Sequence, residues 1–147
     1  MVASNAVGML GGLVVLWNPK WISATDFQCF VGILVLAHVW GSHDPIHILN
    51  IYAPYKNRSP FWNYLLSSEL LGIDSLIIGS DFSCTLCSDE IWGNGRIFDP
   101  MGRHIRESIF QNNFIDLLPV DHGPTWDNGQ SNSSYLAKRI DRFMLHE

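Results

Sequence analysis

The sequence predicts an α/β sandwich. Three observations carry this. Short apolar runs rich in Val, Ile and Leu recur between turn signals, as buried strands do. Only two stretches carry helical spacing, each opened by a proline. The 147 residues, 47% hydrophobic and 16% charged, are one domain's worth and enough to bury a core. Strands with few helices pack as sheets with helices outside.

The elements follow in order. Gly11–Trp17 is a buried strand closed by the turn Asn18-Pro19. Trp21–Phe27 reads as an edge-like strand and Phe30–Trp40 as a long central one. Gly41–Pro45 is a turn, and Ile46–Tyr52 the next strand. Short turns between these strands favour an antiparallel meander. Ser59-Pro60 then caps a helix with Phe61, Trp62, Leu65, Leu66 and Leu70 on one face, ended by Gly72. Ser75–Gly79 is a short apolar strand, followed by a polar loop over Ser83–Phe98. Asp99-Pro100 starts a second helix with Ile105, Ile109 and Phe110 on one face. Phe114–Leu118, Pro124–Trp126 and Arg139–Leu145 complete the strands, with a turn region at Asn128–Asn132.

Composition excludes several classes. Twelve Gly and seven Pro without period exclude a collagen-like chain. A net charge of −5 excludes general polyanion binding through the overall field. The apolar stretches Val7–Trp17 and Phe30–Trp40 fall short of the roughly 20 residues a spanning helix needs. Residues 1–6 lack the Lys or Arg of a signal peptide. Cys29, Cys84 and Cys87 are an odd set without the second pair a zinc site needs, so they read as reduced thiols. The expected location is intracellular, nuclear or cytoplasmic. Nothing in the residues sets an oligomeric state.

Asp81 is the leading chemical candidate. It follows Leu76–Ser80, at the C-terminal end of a buried strand, where α/β folds gather ligand groups. A turn-forming aspartate is the other reading. In a strand from Arg139, alternation puts Arg139, Asp141 and Phe143 on one face and Ile140, Arg142 and Met144 on the other. Asp141 is then either a functional carboxylate or part of an exposed salt-bridged strand. Tyr52 ends its strand as a half-buried aromatic with a wet hydroxyl. His43 and His47 are separated by Asp44-Pro45 and read as turn and strand residues, while His122 stands alone in a loop. Lys138, Arg139 and Arg142, with Arg96, Arg103 and Arg106, make two small basic clusters suited to phosphate.

Six segments in this order resemble one family. They are Gly11–Trp17, Ile51-Tyr52-Ala53-Pro54, Phe61-Trp62, Leu76-Ile77-Ile78-Gly79-Ser80-Asp81-Phe82, Gly123-Pro124-Thr125-Trp126 and Arg139-Ile140-Asp141-Arg142-Phe143. Together they look like the endonuclease domain of LINE-type (non-LTR) retrotransposons, within the endonuclease/exonuclease/phosphatase superfamily. The resemblance covers nearly the whole chain. It implies a four-layered α/β sandwich, here incomplete, as one partial domain over residues 1–147. The implied chemistry is Mg²⁺-dependent phosphodiester hydrolysis on DNA. The implied roles are Tyr52 at the scissile phosphate, Asp81 orienting or deprotonating the water, Asp141 orienting the catalytic His, and Thr125 near the DNA surface.

The departures are specific. Ser80-Asp81-Phe82-Ser83 stands where the family has Gly-Asp-Phe-Asn, so Ser83 replaces an active-site amide with a shorter hydroxyl. The family's N-terminal Asn strand and metal-binding Glu are expected before Met1, and its Ser-Asp-His after Glu147. The metal ligand set is therefore unknown. The expectation is a truncated endonuclease with impaired or absent catalysis. Two alternatives stand beside it: a non-enzymatic interaction remnant that binds nucleic acid or protein, and an active metal-dependent phosphoesterase in which Asp89 or Glu90 replaces the lost Glu.

Overall fold

The computed structural model describes residues 1–5, 12–94 and 97–147, with the backbone alone of Ser80. The chain begins with β1 (Val2–Ser4) and β2 (Leu13–Val15), an antiparallel pair. Next come β3 (Ile22–Cys29), β4 (Gly32–Val39) and β5 (Ile46–Tyr52), the predicted antiparallel meander. Gly11, the first residue of the predicted opening strand, lies outside the described residues.

The first helix, α1, spans Ser59–Ser67, with Arg58 rather than Ser59 at the cap and Pro60 within the first turn. It stops short of Gly72 because Ser67 and Ser68 turn their hydroxyls back onto the carbonyls of Asn63 and Leu65. A separate 3₁₀ turn covers Glu69–Gly72. β6 (Leu76–Asp81) then lies parallel to β5, so α1 is the crossover of a βαβ unit. The predicted loop over 83–98 contains a 3₁₀ turn at Ser88–Glu90 and the strand β7 (Ile91–Gly93). The second helix, α2 (Pro100–Gln111), is capped as predicted by Asp99, whose carboxylate accepts from the Met101 N–H at 3.0 Å. β8 (Phe114–Asp116), β9 (Trp126–Asp127), β10 (Leu136–Lys138) and β11 (Asp141–His146) follow.

The main sheet has six strands in the order β3-β4-β5-β6-β11-β8. A smaller sheet runs β7-β10-β9. Predicted as one strand from Arg139, the last segment is in fact divided. β10 belongs to the small sheet and β11 to the large one, and Arg139-Ile140 joins them.

Strand alternation sorts the core. Leu49, Ile51, Leu76, Ile78 and Met144 face α1 and α2, packing on Phe61, Trp62, Leu65, Ile105 and Ile109. Ile33, Val35 and Ala37 face the other way, onto Val2, Leu13 and Val15 of the β1-β2 pair. That second face is only partly covered: Phe143 on β11 is 62% exposed. Phe110, expected on the apolar face of α2, lies instead at the surface, 44% exposed with Arg106 over its ring. Among the described residues, no helix is long and apolar enough to cross a membrane.

Candidate functional site

β5, β6 and β11 are neighbours, and their register brings three candidate residues into one row. Tyr52 pairs with Asp81 across the parallel β5-β6 ladder. Asp81 pairs with Asp141 across the antiparallel β6-β11 ladder. Adjacent strands lie about 4.8 Å apart, so the row spans about 10 Å. All three point away from the helices, because Ile51, Ile78 and Met144 occupy the alternate positions facing them. The row sits at the C-terminal ends of the two parallel strands.

The turn after β6 shapes the Asp81 carboxylate. Oδ1 accepts from the Ser83 N–H at 2.7 Å, an Asx turn. Ser83 itself adopts the left-handed region, with φ of 50°, and its hydroxyl donates to the Ala53 carbonyl at 2.6 Å. This ties the ends of β5 and β6 together. Burial pushes the Asp81 carboxyl above its ordinary value, and the negative charge of Asp141 adds to this, against the hydrogen bonds from Ser83.

A cleft of about 380 Å³ opens over Asp81 and Ser83. Tyr52, Tyr55, Trp126 and Lys138 line it, with Leu136 and Ile140. Residue-by-residue reading assigned no role to Tyr55, Leu136 or Ile140, and Trp126 entered only as part of a motif. Two exposed aromatics and one cation beside a carboxylate suit a nucleotide: rings stack on bases, and an ammonium pairs with phosphate.

Thr125 and Asp141 line a neighbouring apolar groove of about 520 Å³ with Leu117, Leu118, Pro119 and Phe143. The Thr125 hydroxyl oxygen accepts from the N–H groups of both Ile140 and Asp141, at 3.0 Å each. Its position is at the site, and its hydroxyl braces the backbone there.

The basic clusters are corrected by the structure. Arg139 and Arg142 are buried and form no phosphate-facing patch. Arg139 grips Asp116 at 2.8 and 2.7 Å and Glu90 at 3.0 Å. Arg142 donates to Asp116 at 2.6 Å and pairs with Glu90 through both terminal nitrogens. Predicted on opposite faces of one strand, the two arginines meet because Arg139 precedes the strand. Lys138 alone of that trio lines the cleft. Arg103 and Arg106 lie over the rings of Phe98 and Phe110, and Arg96 is outside the described residues.

Burial pushes the carboxyls of Glu90 and Asp116 up, but their arginine partners outweigh it and leave both below their ordinary values. Hydrogen bonding to Asp116 raises Arg139. Glu90 is thus committed to the two arginines, which corrects the reading of it as a replacement metal ligand. Asp89 opens into a different groove, with Cys87, Arg106 and His122. Among the described residues, no three His, Cys, Asp or Glu side chains converge to hold a metal. Cys84 is buried, which pushes its thiol up to about 12 and makes it inert.

No protein-family model and no curated protein matches the chain. Among solved structures, it is similar to the endonuclease domain of TRAS1, a telomere-specific non-LTR retrotransposon. The TM-score is 0.72 at 14% identity, over 99% of this chain and 67% of that one. The chain therefore shares the fold of a non-LTR retrotransposon endonuclease domain, the family its six motifs resemble.

Proposed function

We propose that this chain is a DNA-binding portion of a retrotransposon-type endonuclease domain, impaired in phosphodiester hydrolysis. The observation that carries it is the Tyr52–Asp81–Asp141 row beside an aromatic and cationic cleft, on a fold shared with an endonuclease domain. In this reading Lys138 meets a backbone phosphate, and Tyr55 and Trp126 stack on bases. The Tyr52 hydroxyl donates to a phosphate oxygen. Asp81, held by Ser83, accepts a proton from the attacking water.

The rest of the fold belongs to the same proposal. A complete four-layered sandwich would cover the sheet face on which Phe143 now lies open. The impairment is read from Ser83, which stands where the resembled family has an active-site Asn and offers only a hydroxyl in place of an amide. Hydrolysis of this class relies on a set of groups acting together, and altering one member of such a set costs orders of magnitude.

Supercoiled plasmid with Mg²⁺ or EDTA, beside an Asp81→Ala control, tests the reading together with fluorescence anisotropy on labelled DNA. The expected result is salt-sensitive binding with equal background nicking in every lane. Mg²⁺-dependent nicking that vanishes in the control would overturn the impairment. Absence of DNA binding at low salt would overturn the proposal as a whole.

A further inference from the structure

Arg139 and Ile140 carry the chain from the small sheet to Asp141 at the start of β11, and the backbone groups along this stretch are tied down one by one. The Arg139 N–H donates to the Glu90 carbonyl at 3.1 Å. The Arg139 carbonyl accepts from the Arg142 guanidinium at 3.1 Å. The Ile140 carbonyl accepts from the Phe82 N–H at 2.9 Å. The N–H groups of Ile140 and Asp141 share the Thr125 hydroxyl oxygen. The Thr125 N–H in turn donates to the Lys138 carbonyl at 2.9 Å.

We propose that Thr125 and the buried Arg139–Glu90–Arg142–Asp116 network are positioning residues, whose joint task is to hold Asp141 in register with Asp81. The proposal rests on the reading of those two carboxylates as the working pair.

Two features distinguish this from plain stabilisation. First, a buried four-charge cluster is a poor way to gain stability, since well-packed apolar side chains of similar volume often do as well or better. What charges with fixed hydrogen-bond directions add is geometry. Here the network grips Arg139 and Arg142, and the Thr125 hydroxyl grips Ile140 and Asp141, which lie between them. Second, the Asp141 carboxylate is exposed and makes no hydrogen bond among the described residues. Its place is set through its backbone, which leaves both oxygens free for an incoming donor.

The test uses this chain and its Thr125→Val, Thr125→Ser and Asp141→Asn variants. Carboxyl NMR follows the titration of Asp81, and amide exchange follows Ile140 and Asp141. Thr125 is exposed, so the fold is expected to survive, as thermal melting checks. Thr125→Ala replaces the valine variant if it does not. In Thr125→Val the Asp81 midpoint should fall, in the direction that Asp141→Asn sets by removing the neighbouring charge. The two amides should exchange about five- to tenfold faster. Thr125→Ser, which keeps the hydroxyl, should restore both. The proposal is overturned if the Asp81 midpoint in Thr125→Val matches the unaltered chain while Asp141→Asn lowers it. It is overturned equally if Asp141→Asn leaves Asp81 unmoved. Neither readout involves DNA, so a chain that never nicks plasmid does not weaken a positive result here.

Discussion

Asp81 and Asp141 face each other across the β6-β11 ladder, two carboxylates on one sheet face in directly paired positions. Like charges opposite one another destabilise a sheet pair. In this protein the arrangement is maintained by the Ser83 turn on one side and by the 139–141 crossover on the other. The fold tolerates the repulsion, and local strain of this kind is commonly kept where a site is built.

That cost predicts a stabilising substitution. The Asp81 carboxyl lies above its ordinary value of 3.8, so the native state binds its proton more tightly than the unfolded state. Its contribution is present in full at low pH and is lost as pH rises through the native value. Asp81→Asn removes the charge and keeps the acceptor for the Ser83 N–H. At pH 7 it should stabilise by about a few tenths of a kcal/mol, a small figure because the group is partly open to solvent and screened. Urea unfolding at pH 7 and pH 3 checks it: the gain should be absent at the lower pH.

The buried network predicts the opposite pH behaviour. Glu90 and Asp116 lie below their ordinary values of 4.5 and 3.8. Their stabilisation is present above those values and is lost as pH falls through the native ones. Glu90→Gln should cost about 3–5 kcal/mol at pH 7, because it leaves two buried arginines sharing one carboxylate. It should also flatten the acid limb of the stability profile. A variant with unchanged steepness below pH 4 would show that other groups govern acid unfolding.

Gly102 sets two effects against each other. Replacing a helical glycine by alanine gains up to about 1 kcal/mol in propensity. A Cβ at Gly102, however, would collide with the Thr85 carbonyl oxygen, which is backbone and buried. Overpacking of this kind costs about 1–3 kcal/mol or more. Gly102→Ala should therefore lower the melting temperature, and a rise would mean that α2 can slide off the 82–86 segment.

Lys138 predicts a binding signature. If it meets one phosphate, Lys138→Ala should weaken DNA binding about equally across sequences and reduce the salt slope by about 1. Anisotropy titrations at several salt concentrations measure this. Arg139→Ala is no equivalent control, since that side chain is buried against Glu90 and Asp116.

Much of this could be read from the residues alone, wherever period and punctuation agree. Ile46–Tyr52 matches its strand end to end, and Asp99-Pro100 marks the start of α2. Asp81 and Tyr52 stand out in the sequence as strand-end residues, but that they share one row with Asp141 comes from the ladder register, which no local pattern carries. The small sheet was not legible, because strands of two or three residues carry no measurable period. The charge network was missed for another reason. Glu90 is 49 residues from Arg139 and 52 from Arg142, and spacing along the chain holds no trace of such pairs. Alternation misplaced Arg139 because it assumed one continuous strand.

The position of β11 has a consequence for how the protein is made. It is the last strand of those described, yet it lies inside the large sheet, between β6 and β8. A ribosome delivers β3 to β6 early, and these can pair as they emerge. β8 must wait, because its sheet neighbour is the later β11. Until that strand arrives, Glu90 and Asp116 lack their arginines and Asp81 lacks its opposite carboxylate. The arrival of residues 139–146 thus completes the large sheet, neutralises the two buried acids and sets Asp141 opposite Asp81 in a single event.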